Sequence, residues 1–213
     1  QKENNFTHIY NVLRDGTPVV LFDRIASELK CDKVIVDDFD SAVNATQYLI
    51  DTNCKKIALF STINNLSVGD LRENGYKEAL RKNNIKFDAS LALLTDSDEG
   101  FDEKMGHLIL NKKPDAIFAI DEYAVVTAMK FCLKNGLKVP DDISIIGFAD
   151  GLWSRRMTPS LSTISQHAPE IGQKTAELII KRIEEIPDSE SEKIFETAVI
   201  KTELRKRDSV RKL

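Results

Sequence analysis

Residues 136–166 read GLKVPDDISIIGFADGLWSRRMTPSLSTISQ, and this one stretch holds a helix stop, a buried strand, a polar loop and a second strand. Gly136 suits the left-handed conformation that ends a helix, and Pro140 keeps that helix from resuming. Ile143, Ile145, Ile146 and Phe148 form the short apolar run that a parallel strand needs when both of its faces are covered. The strand opens into Ala149-Asp150-Gly151, a polar loop at a carboxyl end, which is where open α/β sheets bind ligands.

Outward from this stretch the chain keeps the same grammar. Brief apolar runs at 19–22, 34–36, 57–60, 91–94, 116–120 and 143–148 read as strands. Amphipathic stretches lie between and after them. Ala42, Ala45, Thr46 and Leu49 fall on one helical face, as do Tyr76, Ala79 and Leu80. Ala124, Ala128, Phe131 and Leu133 form another, ending at Asn135-Gly136, and Ile171, Thr175, Leu178, Ile179 and Ile183 form the last, closed by Pro187 and the polar turn 188–192. Residues 194–204 read as a single closing strand, whereas Phe6, Ile9, Val12 and Leu13 place a helix at the start. Alternating strands and helices predict an α/β fold with parallel sheets.

Composition narrows the function classes. With 213 residues, 30% charged and 42% hydrophobic, the chain has the balance of a globular protein of one large domain or two small lobes. A net charge of -4 argues against a nucleic-acid surface spread over the whole chain. The basic segment Arg205-Lys206-Arg207 with Arg211-Lys212 reads as a solvated end. Cys31, Cys54 and Cys132 supply neither a disulfide framework nor a metal-ligand spacing, which predicts a reducing, cytoplasmic setting. No apolar run has the length of a membrane span, and the opening QKENNFTHIY lacks a signal pattern.

Catalytic constellations are absent from the sequence: there is no G-x-G-x-x-G, Walker loop, H-E-x-x-H or G-x-S-x-G, and His8, His107 and His167 stand alone. No enzyme, metal site or cofactor is predicted. What recurs is a polar residue after a strand: Asp23-Arg24, Asp37-Asp38, Asp121-Glu122 and Asp150. For Asp121 and Asp40 the reading is helix N-capping, which is compatible with ligand contact; for Asp23 with Arg24 it is pocket lining. Arg72 lies just inside a helix start, where a cation opposes the helix dipole. It therefore calls for a partner: an ordinary ion pair, a loop carboxylate, or a polar ligand held by paired hydrogen bonds.

Taken in order, TPVVLFDRI, VIVDDFDSAVNATQYLI, KKIALFS, RENGYKEAL, PDAIFAIDEYAV, GLKVPDDISIIGFAD and TPSLSTISQ resemble the effector-binding domain of the lactose/galactose repressor family of bacterial transcription regulators. The resemblance spans nearly the whole chain. It implies two Rossmann-like lobes of the periplasmic-binding-protein type, with crossovers near Thr62, Gln166 and Lys201. The first lobe, incomplete at its start, would hold 1–62 plus 167–200, and the second 63–166 plus 201–213. A small polar effector, a sugar or related metabolite, would sit in the cleft between lobes and control DNA binding by an N-terminal helix-turn-helix domain absent from this chain. A homodimer without membrane attachment is implied as well. The alternative with the same fold is a solute-binding protein for transport.

Family effector contacts map by motif onto Asp23, Arg24, Arg72, Ile120, Asp121 and Ala149. This chain departs from the family at two of them. Ala149 stands where many members carry Asp, leaving Asp150, Trp153 or neither to take that part, and Ile120 stands where sugar-binding members often carry Asn. Losing two groups that hold sugar hydroxyls points toward a chemically different or larger ligand, or a co-regulator protein.

Overall fold

A computed structural model describes residues 6–149, 151–185 and 194–212. In chain order the elements are α1 (Thr7–Arg14), β1 (Val20–Phe22), β2 (Asp32–Val36), α2 (Asp38–Asp51), β3 (Ile57–Ser61), α3 (Ser67–Lys82), β4 (Ala92–Leu94), α4 (Phe101–Lys112) and β5 (Ala116–Ala119). They continue with α5 (Glu122–Lys134), β6 (Ser144–Phe148), α6 (Trp153–Arg156), β7 (Ser162–Ser165), α7 (Ala168–Glu184), β8 (Thr197–Ile200) and β9 (Glu203–Arg205). The chain divides into two compact units: Gln1–Val36 with Ala168–Ile200, and Asp37–His167 with Lys201–Leu213.

In the first unit β1, β2 and β8 make a parallel sheet in the order β1-β2-β8. Val34, Val36, Ile171 and Leu178 form its small core, joined by Val20, Ala198 and Ile200. A carboxylate is built into it. Asp32 is fully buried and accepts from Arg182 Nε at 2.6 Å and Nη2 at 2.8 Å, and from the Glu196 backbone N–H at 2.7 Å. Burial alone pushes an Asp carboxyl up, but these donors outweigh it and hold Asp32 below the usual value.

The second unit carries a six-stranded sheet, β4-β3-β5-β6-β7-β9, parallel except for the antiparallel β7–β9 pair. Strand residues alternate between two cores, as the pleat requires. Ala58, Phe60, Ile117, Ala119 and Ile145 pack with α4 and α5, while Ile57, Leu59, Ala116, Phe118, Ile146 and Phe148 pack with α2 and α3. Helices thus cover both faces, and β3, β5 and β6 are buried at every position, which is why they read as continuous apolar runs. Gly136 has φ +74°, the left-handed stop expected after α5.

Three expectations are corrected and one element is added. The first passage between units falls at Val36–Asp37, not near Thr62. The reason is packing: α2 lays Ala42, Ala45 and Leu49 on the six-stranded sheet, and β3 pairs with β4 and β5. Second, the single closing strand is two strands, β8 in the first sheet and β9 in the second. Third, α4 is a helix the sequence pattern leaves unassigned; its buried stripe is narrow: Phe101, Met105 with Gly106, and Ile109. Fourth, the basic end is docked through Arg207 and Arg211 rather than wholly solvated, with Lys206 and Lys212 exposed. Arg207 Nη1 donates to Leu161 O and Thr163 Oγ1, Arg211 Nη2 donates to Asp115 O at 3.0 Å, and Val210 is buried. Between them Ser209 Oγ donates to Ile145 O at 2.6 Å and accepts from Ser162 N–H at 2.8 Å, so the segment completes strand hydrogen bonding.

Candidate functional site

The carboxyl ends of β3, β5 and β6 bring together Thr62, Ile120, Asp121, Phe148 and Ala149 in the second unit. Arg72, from α3, reaches them. Its Nε donates to Asp38 Oδ1 at 2.7 Å and its Nη1 to the Ile120 carbonyl at 2.7 Å, and the Phe148 ring centroid lies 3.6 Å from its Cζ. Both charged side chains are buried, Arg72 at 5% and Asp38 at 4% exposure. Asp38 belongs to the first turn of α2, where an anion also complements the helix dipole. The partner that Arg72 requires is thus a carboxylate 34 residues earlier in the chain.

The α2–α3 contact fixes this geometry. Gly75, one turn beyond Arg72, allows the helices to touch: a Cβ there would collide with Phe39 O and lie 2.7 Å from Ala42 Cβ. Nη2 of Arg72 has no hydrogen-bond partner among the described residues. It is not a buried orphan either, because among those residues Thr46 Oγ1 is the one such atom. The Nη2 end of the fork therefore meets solvent, while one face is covered by Phe148 and Nε is occupied.

Asp121 is committed to structure. As N-cap of α5 it accepts from Ala124 N–H at 2.9 Å, and it also accepts from Thr62 N–H at 2.7 Å and Thr62 Oγ1 at 3.1 Å. The carboxylate ties the loop after β3 to the start of α5. Asp40, by contrast, makes no cap: it is exposed, 3.9 Å from Lys201 Nζ, and Asp37 holds the N-cap position. Burial pushes the Asp37 carboxyl up, but bonds from Thr202 and Lys201 bring it net below its usual value.

The other expected site residues divide as follows. Ile120 and Ala149 are buried, so Ile120 contributes its carbonyl rather than its side chain. Trp153, in α6, donates from Nε1 to Glu122 Oε1 at 2.8 Å and packs on the core shared with α4 and α5. Asp150 lies outside the described residues. Asp23 and Arg24 belong to the first unit, at the carboxyl end of β1. Asp23 has φ 58°, an uncommon left-handed backbone for a residue with a Cβ, and Arg24 Nε is 3.9 Å from its carboxylate. Asp38, Phe148 and Thr62 are site residues outside the set of expected effector contacts; the doubled Asp37-Asp38 after β2 is the one local signal for the first.

Among the described residues no group of three His, Cys, Asp or Glu side chains is arranged to hold a metal ion. The free cysteines are all buried, and burial pushes the Cys132 thiol up to about 12, away from thiolate chemistry. No helix among the described residues is long and apolar enough to cross a membrane.

The periplasmic binding protein-like domain profile matches residues 46–210. The chain belongs to that family. It is 32% identical to the probable HTH-type transcriptional repressor ExuR of Bacillus subtilis (strain 168), over 99% of this chain and 62% of that protein. It is 34% identical to the HTH-type transcriptional regulator MalR of Clostridium butyricum, over 82% of this chain and 51% of that one. The crystal structure of a LacI family transcriptional regulator from Enterococcus faecium with bound ribose superimposes with TM-score 0.87 at 27% identity, covering 98% of this chain and 77% of that one. The resemblance to the lactose/galactose repressor effector domain thus holds in both sequence and fold, and the relatives are transcriptional regulators, not enzymes. This chain spans about half to three-fifths of the curated relatives' length.

Proposed function

We propose that this chain is the ligand-sensing part of a lactose/galactose repressor-type transcription regulator, and that its effector is a small polar metabolite of the sugar class. The observation that carries this reading is the Arg72 fork, stacked on Phe148 and held by Asp38 and Ile120 with its Nη2 end meeting solvent at the carboxyl ends of parallel strands. Similarity to a regulator with bound ribose supports the ligand class. Asp121 acts by fixing the loop after β3, Trp153 by bracing α5, and Ala149 by lining. Asp23 and Arg24 are further candidate contacts on the first unit, and Asp150 is a candidate carboxylate. DNA is read by a helix-turn-helix elsewhere in the protein, which acts as a homodimer in the cytoplasm. The effector shifts DNA affinity only to the extent that it binds one state of the regulator better than the other. Relatives that are regulators do not favour the transport alternative.

A thermal-shift screen of sugars, sugar acids, nucleosides and phosphorylated metabolites on the intact protein identifies the ligand, because binding to the native state raises the melting temperature. Arg72→Lys keeps a cation beside Asp38 but removes the planar fork. It is expected to weaken the hit roughly tenfold or more, as read by calorimetric titration. Unchanged affinity in that variant rules out Arg72 as the clamp.

A further inference from the structure

We infer that Asp38 sets the charge class of the ligand: by neutralising Arg72 it tunes the site for an uncharged, hydroxylated compound and against a carboxylate or phosphate. The inference rests on Arg72 being an effector contact. A guanidinium has five N–H donors. One, on Nε, goes to Asp38 and one, on Nη1, to the Ile120 carbonyl, so the donors left lie at the Nη end. Hydroxyl oxygens need only those donors. An anion needs the positive charge too, and a carboxylate 2.7 Å from Nε already takes it.

An anionic ligand on the Nη end would place two negative groups on one buried cation, a like-charge arrangement that costs affinity. Asp121 adds to the same bias, since it lies at the end of β5 next to the carbonyl that Arg72 uses. The Phe148 ring covers one guanidinium face and is itself buried, so that side of Arg72 is closed and a ligand reaches it at the Nη end. Two features of this chain therefore act together, a donor fork and a carboxylate that leaves it uncharged overall.

Matched pairs test this by calorimetric titration of the intact protein: galactose with galacturonate, glucose with glucuronate, cellobiose with cellobionate, and ribose with its terminal phosphate ester. The neutral member of any pair that binds is expected to be tighter by roughly tenfold or more. Asp38→Asn keeps an acceptor for Nε but frees the charge, and it is expected to reverse the preference toward the anionic member. A merely structural role for Asp38 would weaken both members alike, which overturns the inference. So does an anionic member that binds the unaltered protein as tightly as its neutral partner, a comparison that needs no variant to fold. If that anionic binding is lost in Arg72→Lys, the effector site stands and only the charge assignment falls. Binding untouched by Arg72→Lys, or none by any compound of the panel, removes both.

Discussion

Asp32 and Asp38 are both buried carboxylates facing an arginine, yet they do different work. Asp32 accepts from two nitrogens of Arg182 and from a backbone N–H, so both of its oxygens are spent on joining β2, α7 and the segment entering β8. Breaking such a pair strands a buried charge, which costs far more than losing a surface ion pair. Asp32→Asn is expected to destabilise the protein by about 3 kcal/mol, read from chemical denaturation. The pH dependence follows from the sign of the shift. The folded carboxyl lies below its unfolded value of about 3.9, so its contribution is complete above that pH and is lost as the pH falls through the folded value. The stability of Asp32→Asn is expected to decline less steeply below about pH 4 than that of the unaltered protein. Asp37, lowered in the same direction, supplies a remaining part of that slope in both proteins.

At the scale of elements, the α2–α3 contact positions the site, and Gly75 is its narrowest point. Gly75→Ala is expected to force the helices apart, costing about 1–3 kcal/mol in denaturant unfolding. Because Asp38 and Arg72 sit on the two helices, effector affinity is expected to fall with stability. This contact shows where the sequence is legible and where it is not. Strands β3, β5 and β6 are continuous apolar runs because both faces are covered, so they stand out locally. α4 does not, since burying one narrow stripe leaves half of its residues polar and exposed. The passage at Val36–Asp37 is equally hidden: nothing in an amphipathic helix pattern says which sheet its apolar face will cover. The Asp38–Arg72 pair is a tertiary fact of the same kind. The sequence reading places Arg72 at a helix start, whereas α3 begins five residues earlier at Ser67; what Arg72 needs is a partner for a buried charge, and that partner is named only once α2 and α3 are packed. Likewise the basic charge of the last residues says nothing of the strand hydrogen bonds that Ser209 and Arg211 complete.

For the whole molecule, the account joins a family, a fold and one corner of the second unit. Family membership and the superposition on a ribose-bound regulator support the proposed class of function. The assignment of Arg72 as the residue that grips the effector rests on its geometry: one face stacked, Nε and Nη1 held, Nη2 meeting solvent. The most direct test is a crystal structure of the intact protein with the sugar that gives the largest thermal shift. The account predicts a hydroxyl oxygen of that sugar within hydrogen-bonding distance of Arg72 Nη2, with Asp38 still on Nε. A sugar bound with no contact to Arg72 would contradict it.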